Sequence, residues 1–255
     1  MTEFTTTTDG IRIAYDRLGD GPPVVLVHGF GSSKEQNWKS TGWYGTLTEA
    51  GFSVLAIDNR GHGESDKPHD PVLYHHDRMA EDVATVMDAA GIAAAHYVGY
   101  SMGGLIGLRF LAHFPDRVTR LALGGVGETY LKGPRVSDPE RRDLIADALL
   151  TDDKDGITDS RARMFRDFSE QAGKDRLALA ACMRAMSPPL PVAILRSLAK
   201  PILVVDGDQD FIAGPSGPLA AIFPHGSAVI VPGRDHMSAV GARPTRQAVV
   251  DFLER

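Results

Sequence analysis

A serine stands between two glycines in the stretch Gly-Tyr-Ser-Met-Gly at residues 99–103. An apolar run at residues 95–100 precedes this serine and a helical pattern follows it, so the stretch predicts a tight turn from a strand into a helix. Such a turn strains the backbone and lifts the serine hydroxyl out of the sheet, and side chains at the two glycine positions would collide with neighbouring elements. The sequence therefore predicts that Ser101 is a nucleophile, with the next backbone N–H at a helix start.

A serine hydroxyl is a good nucleophile only when a base takes its proton. Of the nine histidines, His236 follows the last apolar run, where a loop would share a sheet edge with Ser101. A carboxylate would hold the tautomer of this imidazole and stabilise its cation. The end of another strand offers Asp206, Asp208 and Asp210. Asp210 is best placed to reach His236 and Asp208 is second, so we predict a catalytic set of Ser101, Asp210 and His236.

The elements that must position these residues alternate along the chain. Asp9-Gly10 lies between β-prone runs and predicts a hairpin at the start. Continuous apolar runs, typical of strands buried on both faces, lie at residues 24–27, 52–58, 95–100, 118–125, 201–207 and 227–233. Helical patterns separate most of these runs. The alternation predicts an α/β protein with a mostly parallel sheet.

One stretch breaks this alternation. Residues 127–195 contain no convincing strand and carry three helical patterns. We predict that this segment is a helical cap inserted after the sixth strand, above the sheet. The predicted division is a core domain of residues 1–126 and 196–255, with a cap of residues 127–195.

Composition and charge exclude several classes of function. The net charge of −6 argues against nucleic acid and anionic membranes as partners. The single cysteine, Cys182, cannot form an internal disulfide or a cysteine-rich metal site, and we expect no metal and no cofactor. The polar N-terminus does not have the pattern of a signal peptide, and no apolar run reaches the length of a membrane helix, so a cytoplasmic location is expected.

Several motifs together identify a resemblance to the α/β-hydrolase fold family over nearly the whole chain. They are VVLVHGFG, LAIDNRGHGESD, VGYSMGG, PILVVDGDQD and GRDHM. The resemblance implies an eight-stranded, mostly parallel sheet flanked by helices, with a helical cap. It also implies an oxyanion hole made by the backbone N–H groups of Phe30 and Met102, and scaffold roles for Asp58 and Arg60. One departure is Asp235, where the family often has glycine before the histidine, so this aspartate could compete for His236.

The resemblance to small capped esterases implies hydrolysis of a small carboxylic ester through an acyl-enzyme. Thioesters, lactones, carbon–carbon bonds and perhydrolysis use the same kind of site and stay open as alternatives. A serine nucleophile argues against the relatives that attack with aspartate, the epoxide hydrolases and haloalkane dehalogenases. A slow-turnover ligand receptor on the same fold is a rival from another class. A dinucleotide-binding protein is disfavoured, because Lys34 stands where the third glycine of that fingerprint would be.

Apolar residues of the cap are candidates for the substrate pocket, although each could instead pack the cap onto the sheet domain. We predict pocket positions for Met164, Phe168, Met183 and Met186 of the cap, and for Trp38, which follows the predicted oxyanion segment and for which core packing is an equal alternative. Further apolar candidates in the cap are Phe165, Leu177, Leu179 and Leu190. The sequence does not predict the oligomeric state.

Overall fold

Eight strands form one sheet in a computed structural model that describes residues 1–132, 139–171, 173–185 and 187–255. The strands are β1 (Thr2–Thr6), β2 (Arg12–Leu18), β3 (Pro23–Val27), β4 (Ser53–Ile57), β5 (Ala95–Tyr100), β6 (Val118–Gly124), β7 (Ile202–Gly207) and β8 (Gly226–Val231). Their order in the sheet is β1-β2-β4-β3-β5-β6-β7-β8. Only β2 runs antiparallel to its neighbours; every other pair is parallel. The predicted mostly parallel, eight-stranded sheet is confirmed.

Helices follow most of the strands, and nine α-helices are numbered here within the described residues. They are α1 (Trp43–Glu49), α2 (His76–Ala89), α3 (Met102–His113), α4 (Pro139–Leu150), α5 (Ser160–Phe168), α6 (Arg176–Arg184), α7 (Val192–Ser197), α8 (Ser216–Ala220) and α9 (Arg243–Leu253). Shorter helical turns lie at Glu35–Lys39, Pro71–Tyr74, Pro115–Arg117 and Glu128–Lys132. None of the helices in these parts of the chain has the length and apolar character needed to cross a bilayer.

Strand β3 shows why the sheet is buried on both faces. Val25 and Val27 pack into one apolar cluster with α2 and α3, while Val24 and Leu26 pack into a second cluster with α1 and α9. Successive side chains of a strand point to opposite faces, so a continuous apolar run serves a sheet covered by helices on both sides. This packing fixes the carboxyl ends of the central strands, where the loops with the predicted site residues begin.

The helical insertion predicted after the sixth strand is confirmed: α4, α5, α6 and α7 lie between β6 and β7. Helices α4, α5 and α6 share a small apolar core of their own, formed by Ile145, Ala146, Ala148, Leu149, Ala162, Leu179, Ala180 and Met183. Phe30 from the sheet domain packs against this core. The division at residues 127 and 195 stays a prediction.

Candidate active site

Ser101 lies on the turn between β5 and α3, in a conformation that few residues adopt. Its φ is 51° and its ψ is −116°, and no other non-glycine residue in the described parts of the chain has a positive φ. Such a conformation costs on the order of 1–3 kcal/mol and persists only where the surroundings enforce it. A Cβ atom at Gly99 would collide with the carbonyl of Gly103, and one at Gly103 would collide with the carbonyl of Val27. The two glycines therefore allow the close packing that forces this turn on Ser101.

His236 lies in the loop after β8 and connects the serine to a carboxylate. Its Nε2 is 3.0 Å from the Oγ of Ser101, and its Nδ1 is 2.7 Å from Oδ2 of Asp210. The hydroxyl of Tyr100 donates a hydrogen bond of 2.6 Å to the His236 carbonyl and helps to hold the loop. With Nδ1–H donating to the carboxylate, Nε2 is free to accept the serine proton. The structure thus brings the three predicted catalytic residues together.

Asp210 is held rigidly below this histidine. The carboxyl group is buried, and its Oδ1 accepts hydrogen bonds from the backbone N–H groups of Ile212 at 2.9 Å and Ala213 at 2.8 Å. Oδ2 is left to face His236. Asp208, the second candidate, is exposed and accepts a hydrogen bond from the N–H of Gly233 instead. Of these two aspartates, Asp210 is the one that contacts the histidine.

Asp235 does not compete for the histidine. Its Oδ1 accepts hydrogen bonds from the N–H of Ser238 at 2.8 Å and from the Ser238 hydroxyl at 2.6 Å. These bonds lower the pKa of Asp235, so it stays ionised within its own turn. An aspartate in place of the family's glycine before His236 therefore leaves the histidine correctly oriented, because its Nδ1 faces Asp210.

A second buried carboxyl, Asp206 near the end of β7, was considered from the sequence but not chosen as the partner of His236. Burial, followed by the nearby charge of Asp210, raises the pKa of Asp206 to about 7. Its Oδ1 accepts a hydrogen bond from the N–H of Val126 at 3.1 Å, and its Oδ2 has no hydrogen-bond partner among the described residues. The signal available in the sequence was an acid inside an otherwise apolar strand.

The segment after β3 lies directly against the serine. A Cβ atom at Gly29 would be 3.3 Å from the Cβ of Ser101, so the backbone before Phe30 is in close contact with the turn. Phe30 and Met102 both line the cavity beside Ser101. Within the described residues, neither of their backbone N–H groups donates to a protein acceptor. These are two available donors beside the serine, as an oxyanion site requires.

One cavity of about 360 Å³ opens above Ser101, between the sheet domain and the cap. We call its sheet-domain wall the cavity floor, formed by Gly29, Phe30, Ser101, Met102 and His236, and its cap wall the cavity roof, formed by Arg141, Arg161, Met164, Phe165 and Phe168. The rings of Phe30 and Phe165 meet edge to face, with centroids 5.5 Å apart, and join floor to roof. The volume lies at the small end of ligand pockets, which suits a small substrate.

The structure places the predicted pocket residues in three ways. Met164, Phe168 and Met183 line the cavity. The prediction for Trp38 is wrong, because this side chain is fully buried in the core of the sheet domain. Its ring meets that of Trp43 edge to face, with centroids 5.3 Å apart. The helical turn Glu35–Lys39 directs its Asn37 toward the cavity and its tryptophan into the core. Met186 lies outside the described residues.

Two further histidines, His28 directly after β3 and His62 in the loop after β4, serve the scaffold. His28 is fully buried, its Nε2 accepts a hydrogen bond from the N–H of Asn59 at 3.0 Å, and burial lowers its pKa to about 4. Burial likewise lowers the pKa of His62 to about 3, and its Nδ1 donates to the carbonyl of Arg60. Arg60 itself forms a buried ion pair with Asp82. No group of three or more metal-ligating side chains occurs in the part of the chain that the structure describes.

Sequence reasoning missed the charged residues of the cavity. Arg141 and Arg142 on α4 and Arg161 on α5 line it, although the sequence suggested only apolar cap residues. The available signal was helical spacing: Arg161 lies three, four and seven positions before Met164, Phe165 and Phe168, and so on the same helix face.

Comparisons with known proteins give one family and many solved structures. A family model described as alpha/beta hydrolase fold matches residues 22–153. A hydrolase from Pseudomonas aeruginosa PA01 has 28% sequence identity and a TM-score of 0.78, over 100% of this chain and 98% of that chain. A thermophilic esterase from Thermogutta terrifontis, with malate bound, has 25% identity and a TM-score of 0.78 over the same shares. An enol-lactonase from Burkholderia xenovorans LB400 has 28% identity and a TM-score of 0.72, over 99% of this chain and 100% of that chain.

Curated relatives match over a shorter stretch. The bifunctional epoxide hydrolase 2 of Sus scrofa is 33% identical over 114 residues, which are 44% of this chain and 20% of that protein. The match thus spans only about a fifth of that relative's length.

Proposed function

The chain belongs to the alpha/beta hydrolase fold family, and from this premise we propose that it is a serine hydrolase that cleaves a small carboxylic ester. The observation that carries the proposal is the hydrogen-bonded series from Ser101 through His236 to Asp210, with distances of 3.0 Å and 2.7 Å. A serine, a base and an orienting carboxylate in this geometry are the requirements for acyl transfer. The family match and the esterase at 25% identity support the reaction class.

The first half of the reaction forms an acyl-enzyme. Oγ of Ser101 attacks the ester carbonyl carbon while Nε2 of His236 takes its proton, and the carbonyl oxygen becomes an oxyanion. The N–H groups of Phe30 and Met102 donate to that oxyanion. The imidazolium, stabilised by Asp210, then gives its proton to the leaving alcohol as the carbon–oxygen bond breaks.

The second half consumes water. His236 takes a proton from a water molecule, whose oxygen attacks the acyl carbon, and the same N–H groups bind the new oxyanion. Collapse of this intermediate returns the proton to Oγ of Ser101 and releases the carboxylic acid. The same groups act in both halves of the reaction. Weakening the hydrogen bond between Asp210 and His236 would therefore slow both halves.

Lactone hydrolysis is the second candidate. A lactone is a cyclic ester, so the same steps open it without change, and the enol-lactonase at 28% identity favours it over cleavage of thioesters or carbon–carbon bonds. Epoxide opening is disfavoured, because Ser101 stands where the resemblance places an aspartate nucleophile in epoxide hydrolases.

The proposal is tested with Ser101→Ala on a panel of nitrophenyl esters of rising chain length, beside lactones and thioesters. We expect kcat to fall by roughly 10⁴–10⁶ and labelling by a serine-reactive phosphonate to vanish. Ser197→Ala is the matched control, since Ser197 is exposed at the end of α7 and its hydroxyl donates to the carbonyl of Ile194. Activity of Ser101→Ala within about tenfold of the unaltered protein would contradict the proposal. Slow turnover with strong ligand-induced stabilisation would instead favour a ligand receptor.

A further inference from the structure

The cavity carries positive charge in a chain whose net charge is −6. Among the described residues that line it are Arg141, Arg142 and Arg161, and none of those lining residues is an aspartate or a glutamate. Cations gathered at one wall of a cavity with low-dielectric walls attract and concentrate anions there. The charged side chains among these lining residues are therefore cationic, although the whole molecule is acidic.

Arg161 differs from the other arginines of its helix. Arg163 has its guanidinium 3.7 Å from Asp155 and 3.6 Å from Asp167, and Arg166 forms an ion pair of 2.8 Å with Glu170. Arg161 is half-buried on the cavity face of α5 and has no hydrogen bond or ion pair with any described residue. A half-buried guanidinium with five N–H donors and no protein acceptor is ready to bind an anion.

Arg141 makes this arrangement less favourable without a ligand. It lies on the opposite helix of the roof, is exposed at the cavity edge, and likewise has no partner in the described parts of the chain. Burial, followed by the charge of Arg141, lowers the pKa of Arg161. A bound anion would reverse both effects, because it would offset the desolvation of Arg161 and screen the repulsion between the two cations.

We propose that the substrate of the hydrolase carries an ionised carboxylate, which Arg161 and Arg141 bind at the cavity roof while the ester carbonyl lies at Ser101. This inference rests on the hydrolase function proposed above. Guanidinium and carboxylate match in shape and form paired, charge-assisted hydrogen bonds. Met164, Phe165 and Phe168 lie on the same helix face as Arg161 and line the cavity with it, so the part of the substrate between its two polar ends is apolar.

Two pairs of esters test the charge and place it. The first pair is the 4-nitrophenyl monoester of adipic acid against that of adipamic acid, which differ in one carboxylate on the acyl part. The second is 4-acetoxybenzoate against 4-acetoxybenzamide, which differ in one carboxylate on the alcohol part. We expect kcat/KM for the anionic member of at least one pair to be about 10- to 100-fold higher, as one charge-assisted hydrogen bond contributes. Equal values in both pairs would overturn the proposal.

Arg161→Gln tests whether the preference for the anionic ester depends on the cavity roof. We expect it to lower the ratio of kcat/KM between the anionic and neutral members by about tenfold or more, mainly through KM. Arg163→Gln, on the same helix but facing acids, is the matched control and should keep the ratio. A ratio unchanged in Arg161→Gln, or lowered equally in Arg163→Gln, would count against the assignment.

A binding measurement separates this inference from the function on which it rests. Ser101→Ala is titrated calorimetrically with the intact adipic monoester and with the adipamic ester. Tighter binding of the anion that disappears on adding Arg161→Gln supports the anion site even if no ester is turned over, a result that would overturn the hydrolase proposal alone. Turnover of neutral and anionic esters at equal rates, with equal binding, would overturn the anion site alone.

Discussion

The floor and the roof of the cavity are built by different means. The floor comes from loops at the carboxyl ends of β3, β5 and β8, and buried groups beneath it fix its side chains, as Asp210, itself held by two N–H donors, holds His236. The roof comes from α4 and α5, which pack around a small apolar core of the cap. A reacting group must be placed within fractions of an ångström, whereas a pocket wall needs only the right shape and charge.

The two walls also differ in charge. Carboxyl groups lie beneath the floor, at Asp206 and Asp210, while the lining residues of the roof include Arg141 and Arg161. The separation of charge suits a division of labour in which the floor performs proton transfer and the roof selects the substrate. Three substitutions test the contrast between the walls, starting with the residue whose loss should cost most.

Asp210→Asn removes the charge beneath His236 and keeps the shape of the side chain. We expect kcat to fall by about 10³–10⁴, because an amide neither stabilises the imidazolium nor holds the productive tautomer. The relative kcat/KM of different esters should stay unchanged, since the roof is untouched. Steady-state kinetics on the ester panel measure both quantities.

Asp208→Asn is the control for that substitution. Asp208 is exposed and contacts Gly233 in place of the histidine. The kcat of the Asp208→Asn variant should therefore stay within about threefold of that of the unaltered protein. Equal losses in the two variants would show that the floor does not depend on a specific carboxylate, and the contrast between the walls would fail.

Asp206→Asn tests whether ionisation of the buried carboxyl beneath the floor destabilises the folded protein. The pKa of Asp206 is raised from 3.8 to about 7 in the folded protein. Between these values the folded state holds a proton that the unfolded state has lost, so this group makes stability fall as pH rises. The asparagine variant lacks this fall in stability with pH. Its free energy of unfolding, relative to that of the unaltered protein, should therefore rise by roughly 1–4 kcal/mol from about pH 4 to about pH 7.

Urea unfolding at a series of pH values measures this difference. Asp208→Asn again serves as the control, because it makes the same chemical change at an exposed site. A stability difference that stays flat across this range would mean that Asp206 is ionised normally in the folded state.

The sequence predicted the floor more completely than the roof, where it found the apolar residues and missed the arginines, for a physical reason. Ser101 was predictable because its strained turn needs glycines on both sides, where a Cβ atom would collide with a backbone carbonyl. The sheet was predictable because apolar strands buried on both faces leave little choice of residue. Cap helices have apolar and charged residues on several faces, and which face meets the cavity depends on packing between helices. That is why Arg161 was missed. Trp38 was misplaced for a similar reason, because packing also decides which side of the short turn Glu35–Lys39 meets the cavity.

Phe165→Ala is the smallest change we expect to measure, and it acts where the two walls meet. The alanine removes the edge-to-face contact with Phe30, a pair of rings worth on the order of 1 kcal/mol, and widens the cavity beside the oxyanion segment. We expect kcat/KM for short acyl chains to fall about three- to tenfold and the preference to move toward longer chains. Phe4→Ala, an exposed ring on β1 far along the sheet, is the control. If Phe165→Ala lowered kcat for every ester alike, the roof would be part of the reacting machinery, and selection could not be assigned to it separately.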